Sequence, residues 1–151
     1  MAKTEKDYED LLRLFNKYKV KYCIVGAFAV AFHAVPRYTK DMDIFVEANP
    51  RNAKKIVSAL KEFGFLSLKL TEGDFSKPGK TVQLGYEPVR LDLLTRIDGC
   101  AFDRVWKHRK TGVYGKEKVY FPSVEDLVEN KRISGRPQDR IDLQTLKKLK
   151  R

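Results

Sequence analysis

Residues 24–47 read I-V-G-A-F-A-V-A-F-H-A-V-P-R-Y-T-K-D-M-D-I-F-V-E. An apolar run enters Gly26, a short apolar segment follows as far as Pro36, and a second apolar run carries Asp41 and Asp43. Side chains two apart on a strand point to one face, so these carboxylates stand together and repel. A cation between them resolves the repulsion. Carboxylate oxygens on a rigid element suit Mg²⁺, which keeps several waters and shares its shell with substrate phosphates. Gly26 opens the intervening helix, and free N–H groups at a helix N-terminus bind phosphate. Further along, V-R-L-D-L-L at 89–94 sets Asp92 among Val and Leu. Burying a carboxylate there costs several kcal/mol unless something compensates it, and a shared metal would. Each feature also has a plain structural reading. Asp41 and Asp43 would be a solvated strand end, Gly26 a tight-packing residue, and Asp92 an ion-pair partner of Arg90 or Arg96. The ordered set favours a phosphate cradle beside a metal site, which is the layout of phosphoryl or nucleotidyl transfer.

The chain has 151 residues, 42% of them hydrophobic, and a net charge of +11. A single domain of this length buries about 68–70% of its unfolded surface, enough for a core. No apolar run reaches membrane-spanning length, and the N-terminal residues are charged rather than signal-like. The expectation is therefore a cytoplasmic protein with no membrane partner. Cys23 and Cys100 are too few for a disulfide framework and are expected to be reduced. His33 and His108, without clustered cysteines, do not make a zinc site. The positive charge concentrates at Lys54 and Lys55, at 104–110, at 116–118 and at 131–151. It reads either as a solubilising surface or as the footprint of a polyanion.

Periodicity supplies the remaining elements. Tyr8, Leu11, Leu12, Leu14, Phe15 and Tyr18 mark an amphipathic helix over 5–19. Strands are expected at 22–25 and 42–46, with the cradle helix at 27–34 between them. Asn49-Pro50 opens a helix that Gly64 closes. Alternation predicts a strand at 65–70, an antiparallel pair at 82–84 and 89–95, a short helix at 101–109 and a hairpin at 112–121. Ser123 with Asp126 resembles a capping box opening a helix to Gly135, and Pro137 starts a last helix. His33 and Trp106 read as packing residues. The fold class is α/β: a mixed sheet flanked by helices, with a core over about 1–121 and a C-terminal helical pair over about 123–150.

These residues together resemble the nucleotidyltransferase superfamily that includes DNA polymerase beta. Its pattern is a hydrophobic residue, Gly, Gly or Ser, a gap, Asp-x-Asp and a later strand Asp. Thirteen residues separate Ala27 from Asp41, and Arg37-x-Thr39-x-Asp41-x-Asp43 is similar to a variant in small prokaryotic members related to abortive-infection toxins. L-V-E-N-K-R-I-S-G-R-P-Q-D-R-I-D-L at 127–143 is similar to their C-terminal helices, so the resemblance covers about 22–146. It implies transfer of an NMP group from an NTP to an acceptor hydroxyl. Asp41, Asp43 and Asp92 would be the catalytic metal ligands, with Mg²⁺ or Mn²⁺ bound. Gly26, Ala27, Arg37, Thr39, Lys131 and Arg136 would be the nucleotide-binding set. Arg37 and Thr39 equally suit a turn after Pro36, and Lys131, Arg136 and Asp139 equally suit helix capping. Ala27 stands where the family carries Gly or Ser, so a phosphate would find a backbone donor there but no hydroxyl. RNA or tRNA is the acceptor that the charge suggests. The alternatives are a binding module of the same fold without turnover, or a toxin–antitoxin component.

Overall fold

The structure is a computed structural model and describes residues 5–34, 41–65, 70–86 and 89–149. The elements run α1 (Lys6–Lys17), β1 (Tyr22–Val25), α2 (Gly26–His33), β2 (Asp41–Val46), α3 (Pro50–Phe63), a 3₁₀ turn (Glu72–Asp74), β3 (Thr81–Tyr86), β4 (Val89–Leu94), α4 (Phe102–Lys107), β5 (Lys110–Tyr114), β6 (Glu117–Phe121), α5 (Val124–Ser134) and α6 (Pro137–Lys147). The expected strand at 65–70 falls mostly on residues outside those described.

Four strands form a mixed sheet in the order β1-β2-β4-β3. β2 and β4 are parallel, and both outer pairings are antiparallel. Parallel neighbours need a crossover, and α3 lies in the one between β2 and β4. Asn49 caps α3 by accepting a hydrogen bond from Asn52 N–H at 2.8 Å, Pro50 occupies its first turn, and Gly64 ends it at φ 120°. Strand alternation then divides the sheet into two faces. Tyr22, Ile24, Met42, Ile44, Val46, Leu91 and Leu93 are buried on one face with the apolar stripes of α1 and α3. The other face carries Asp41 and Asp43, half-buried on β2, and Asp92, half-buried on β4. Further along this second face Cys23, Val25 and Phe45 pack with Cys100, Val105, Phe102 and Trp106 from α4 and its approach loop.

The β5–β6 hairpin is a separate two-stranded sheet. It is tied to α1 by Lys116 N–H donating to Glu9 Oε2 at 2.7 Å and Asn16 Nδ2 donating to the Lys118 carbonyl at 2.8 Å. His33 bonds the Pro122 carbonyl at 2.7 Å, consistent with a packing role. Both cysteines are free and buried. Ser123 caps α5 by accepting from Asp126 N–H at 3.2 Å, but the second half of the expected capping box is missing. Asp126 turns its carboxylate to Arg104 at 2.9 Å and His108 at 3.4 Å, because these partners on and just after α4 are within reach.

The helical pair is held by a buried ion cluster. Lys131 on α5 reaches Asp139 at 2.9 Å and Asp142 at 3.3 Å on α6, and all three side chains are almost wholly covered. Removing one member of such a cluster leaves uncompensated charge and costs about 3–5 kcal/mol. Lys131→Met keeps most of the stem's volume but takes the buried ammonium away from two buried carboxylates. A loss of that size in urea-melt stability is the expected result.

Candidate active site

The site is assembled where β1 turns into α2. Val25 is extended, and Gly26 then adopts φ +66°, a left-handed conformation that favours glycine. A Cβ at Gly26 would also lie 2.5 Å from Asp43 Oδ2. Two independent constraints therefore require glycine here: the backbone turn and the close approach of a carboxylate. The first N–H groups of α2 have no intrahelical acceptor, and the N-cap residue, Val25, has no side chain that could cap them. Ala27, half-buried, is the second residue of this turn.

Asp43 is the centre of the geometry. In the antiparallel register it faces Val25, and in the parallel register it faces Asp92. Burial, then the charge and hydrogen bond of Asp92, then the charge of Asp41, push its pKa up to about 6, while Arg136 acts in the opposite sense. Asp92 Oδ1 is covered and takes no hydrogen bond. Asp92 does not form the ion pairs that its sequence context allowed. Arg90 lies 3.8 Å from Asp41, and Arg96 lies 3.8 Å from Asp98. Asp41 is thus on the same face but drawn towards Arg90. Among the described residues no group of three His, Cys, Asp or Glu side chains is arranged to hold a metal ion. The two adjacent carboxylates, with a bare buried oxygen, are nevertheless a donor pair that suits one divalent cation whose other ligands come from water and phosphate.

From the C-terminal helices, the exposed cation whose charge reaches Asp43 is Arg136. Arg136 precedes α6, and its charge is felt at Asp43 and Asp98. Its guanidinium donates to Asp139 Oδ2 at 2.8 Å. Burial alone would raise the Asp139 pKa, but hydrogen bonds from Arg136, Ser134 and Lys131, and the Lys131 charge, hold it well below the usual range. Lys131 stands behind Arg136 with its ammonium closed inside the α5–α6 cluster. Arg37 and Thr39 lie outside the described residues.

Sequence reasoning passed over Tyr8. Its hydroxyl donates to the Arg90 carbonyl at 2.5 Å and accepts from Arg90 N–H at 3.1 Å, fixing β4 opposite Asp41. Burial, partly offset by the hydrogen bond from the Arg90 N–H, pushes the phenol up to about 12. On α1 it looked like one more apolar stripe residue, and nothing in the local sequence distinguished it. A cavity of about 580 Å³ opens further along the face, lined by Phe45, Glu47, Thr95, Arg96 and Phe102. None of the three aspartates lines it.

Residues 4–150 match the family described as "Nucleotidyltransferase of unknown function (DUF6036)". The chain belongs to this nucleotidyltransferase family. Two solved structures share the fold. One is the lincosamide antibiotic adenylyltransferase LnuA in its lincomycin-bound crystal structure, with 19% identity, a TM-score of 0.54, and coverage of 95% of this chain and 96% of that one. The other is a Thermotoga maritima protein assigned as a nucleotidyltransferase, with 17% identity, a TM-score of 0.58, and coverage of 94% and 89%. No curated protein matches the sequence significantly. The nucleotidyltransferase-like α/β fold expected from the sequence is therefore the fold observed, and no helix among the described residues is long and apolar enough to cross a membrane.

The raised Asp43 pKa has a thermodynamic consequence. A carboxyl group that binds its proton more tightly in the folded state stabilises the fold at low pH. That contribution is complete below its unfolded value, about 3.9, and is lost as pH rises through about 6. The shift bounds the effect at about 3 kcal/mol. Asp139 shifts the other way, so its contribution is lost only below the ordinary carboxylate range, outside this window. Without added metal, urea midpoints should fall from pH 5 to pH 7.5 in the native protein. Asp43→Asn should flatten that decline.

Proposed function

We propose that the protein transfers a nucleoside monophosphate from an NTP to an acceptor hydroxyl, using Mg²⁺ or Mn²⁺. The observation that carries this reading is the Asp43–Asp92 pair pressed against the glycine-opened N-terminus of α2. Asp43 and Asp92 would hold the cation and Asp41 would complete the carboxylate set. When bound, that cation supplies charge neutralisation to the triphosphate and the departing pyrophosphate. The chain's own groups do the rest. The N–H groups of Gly26 and Ala27 bind phosphate oxygens. Arg136 offers positive charge opposite Asp43, and Lys131 acts indirectly by fixing Asp139, which orients Arg136. Arg37 and Thr39 remain nucleotide contacts in this reading. The acceptor oxygen bonds to the α-phosphorus, the bond to pyrophosphate breaks, and the Asp92 carboxylate helps take up the hydroxyl proton. The net charge of +11 favours RNA, including tRNA, as the acceptor.

Ala27 supports a second reading. Without the hydroxyl of the family's serine, the fold would bind nucleotide or RNA and turn over slowly or not at all.

Incubation with each α-labelled NTP, Mg²⁺ or Mn²⁺, and bulk tRNA or cell extract separates the two. The expected outcome is label on a macromolecular acceptor. Asp92→Asn should reduce the rate about 10²–10⁴-fold, the range for loss of a general base. It should leave a substantial part of any NTP-induced rise in melting temperature, which reports binding to the folded state. A melting shift without label under every condition would decide for the binding module.

A further inference from the structure

A second charged feature lies away from the carboxylates. Between α4, the start of β5 and the N-terminal end of α5 is a cleft of about 440 Å³, lined by Arg104, Lys107, His108, Arg109, Lys110 and Ser123 among others. Four permanent cations outnumber its two carboxylates, Glu125 and Asp126. Asp126 is nearly wholly buried and is already engaged by Arg104 at 2.9 Å and His108 at 3.4 Å. Asp126 and Arg104 therefore offset each other, and Lys107, Arg109 and Lys110 against Glu125 leave the cleft with an excess of positive charge. Arg109 is also preset. Its guanidinium lies 3.8 Å above the Trp106 ring and donates to the Trp106 carbonyl at 2.8 Å. Lys107 and Lys110 are exposed at the rim. The positive end of the α5 dipole adds to the same field.

The cleft and the carboxylates occupy opposite ends of one helix. α5 starts at the cleft and ends at Ser134, two residues before Arg136, whose charge faces Asp43. Its 11 residues span about 16 Å at 1.5 Å per residue. A small acceptor cannot touch both ends. A stacked nucleic-acid strand, at about 3.4 Å per step, crosses that distance in roughly five nucleotides. RNA also carries hydroxyl groups along its length and at its 3′ end, so one strand could be held at the cleft and present a hydroxyl at the carboxylates. We propose that the α4–α5 cleft is the phosphate-binding subsite that seats an RNA acceptor along α5. This rests on the transfer reading for the identity of the acceptor, but the binding itself is testable alone.

The test measures tRNA affinity at several salt concentrations, without NTP or metal. The Lys107→Gln, Lys110→Gln double variant removes two rim charges that have no role in the ion cluster or the carboxylate site. If both lysines meet phosphates, the log–log salt slope should shrink by about 1.4–1.8. The NTP-induced melting shift should be unchanged, which also shows that the variant is folded. Lys54→Gln with Lys61→Gln, on α3 across the sheet, is the control and should leave the slope as it was. An equal loss in the control, or no change in the cleft variant, overturns the proposal and reduces the cleft to surface charge. Absent tRNA binding combined with NMP transfer to some other acceptor overturns the cleft and leaves the transfer reading standing. Cleft-dependent tRNA binding without transfer to any acceptor overturns the transfer reading and leaves the cleft standing.

Discussion

The parallel pairing of β2 with β4 places two carboxylates side by side, and much of the molecule follows from that contact. Asp43 and Asp92 occupy the same register position on adjacent strands, and neighbouring strands lie about 4.8 Å apart. Like charges partly removed from water and set side by side repel, and Asp43 holds its proton more tightly as a result. The sheet accepts this because its other face supplies the stability. Met42, Ile44, Leu91 and Leu93 alternate with the aspartates and sit in the main core. The crossover that parallel pairing requires is covered on that apolar side by α3, which leaves the acidic side accessible near α2. Gly26 belongs to the same constraint, since its missing side chain is what lets the α2 turn approach Asp43.

The C-terminal helices answer the acidic pair with charge of the opposite sign, and they do so in two layers. Lys131 pays its desolvation cost by contacting both Asp139 and Asp142, so it locks α5 to α6 rather than reaching outward. Arg136 shares Asp139 with it but keeps about 75% of its side chain exposed. A planar guanidinium can hold one carboxylate with one edge and offer the other to an anion, which an ammonium sealed in a cluster cannot. The sequence placed Lys131 and Arg136 together as candidate nucleotide contacts. The structure separates them by depth, and burial is the quantity that a one-dimensional pattern does not carry.

The same distinction marks what the sequence could show. Helix ends were legible where their chemistry is local. Asn49, Pro50 and Gly64 bracket α3, and Ser123 and Gly135 bracket α5. The Asp-x-Asp spacing and the apolar setting of Asp92 foretold one shared face, because strand period and burial cost are both visible in composition. Partner choice was not legible. Arg90 was a candidate partner for Asp92 and instead stands 3.8 Å from Asp41, since the parallel register sets residue 90 opposite residue 41. Asp126 looked like the acidic half of a capping box, yet its carboxylate serves α4, which is distant in sequence. Tyr8 was invisible as anything but core, because its role depends on a strand 82 residues away.

α5 therefore links two electrostatic environments that a local reading would treat separately. Its first turn carries Glu125 and Asp126, which suit the positive end of a helix dipole. Asp126 is also the buried anchor for Arg104 and His108, so the acid that favours the helix start also positions side chains of the cleft. The last turn carries Lys131 and Arg132, which suit the negative end, and Lys131 then fixes the start of α6 and with it Arg136. Charge placed to stabilise one helix is in this way converted at each end into an ordered cationic surface. One end meets α4 through Asp126 and Arg104, and the other leads to Arg136, whose charge bears on Asp43. The excess of 31 basic over 20 acidic residues is consequently not a uniform coat. At these two places it is held in position by buried aspartates, and a side chain fixed in that way loses less freedom on meeting an anion than one moving freely in solvent.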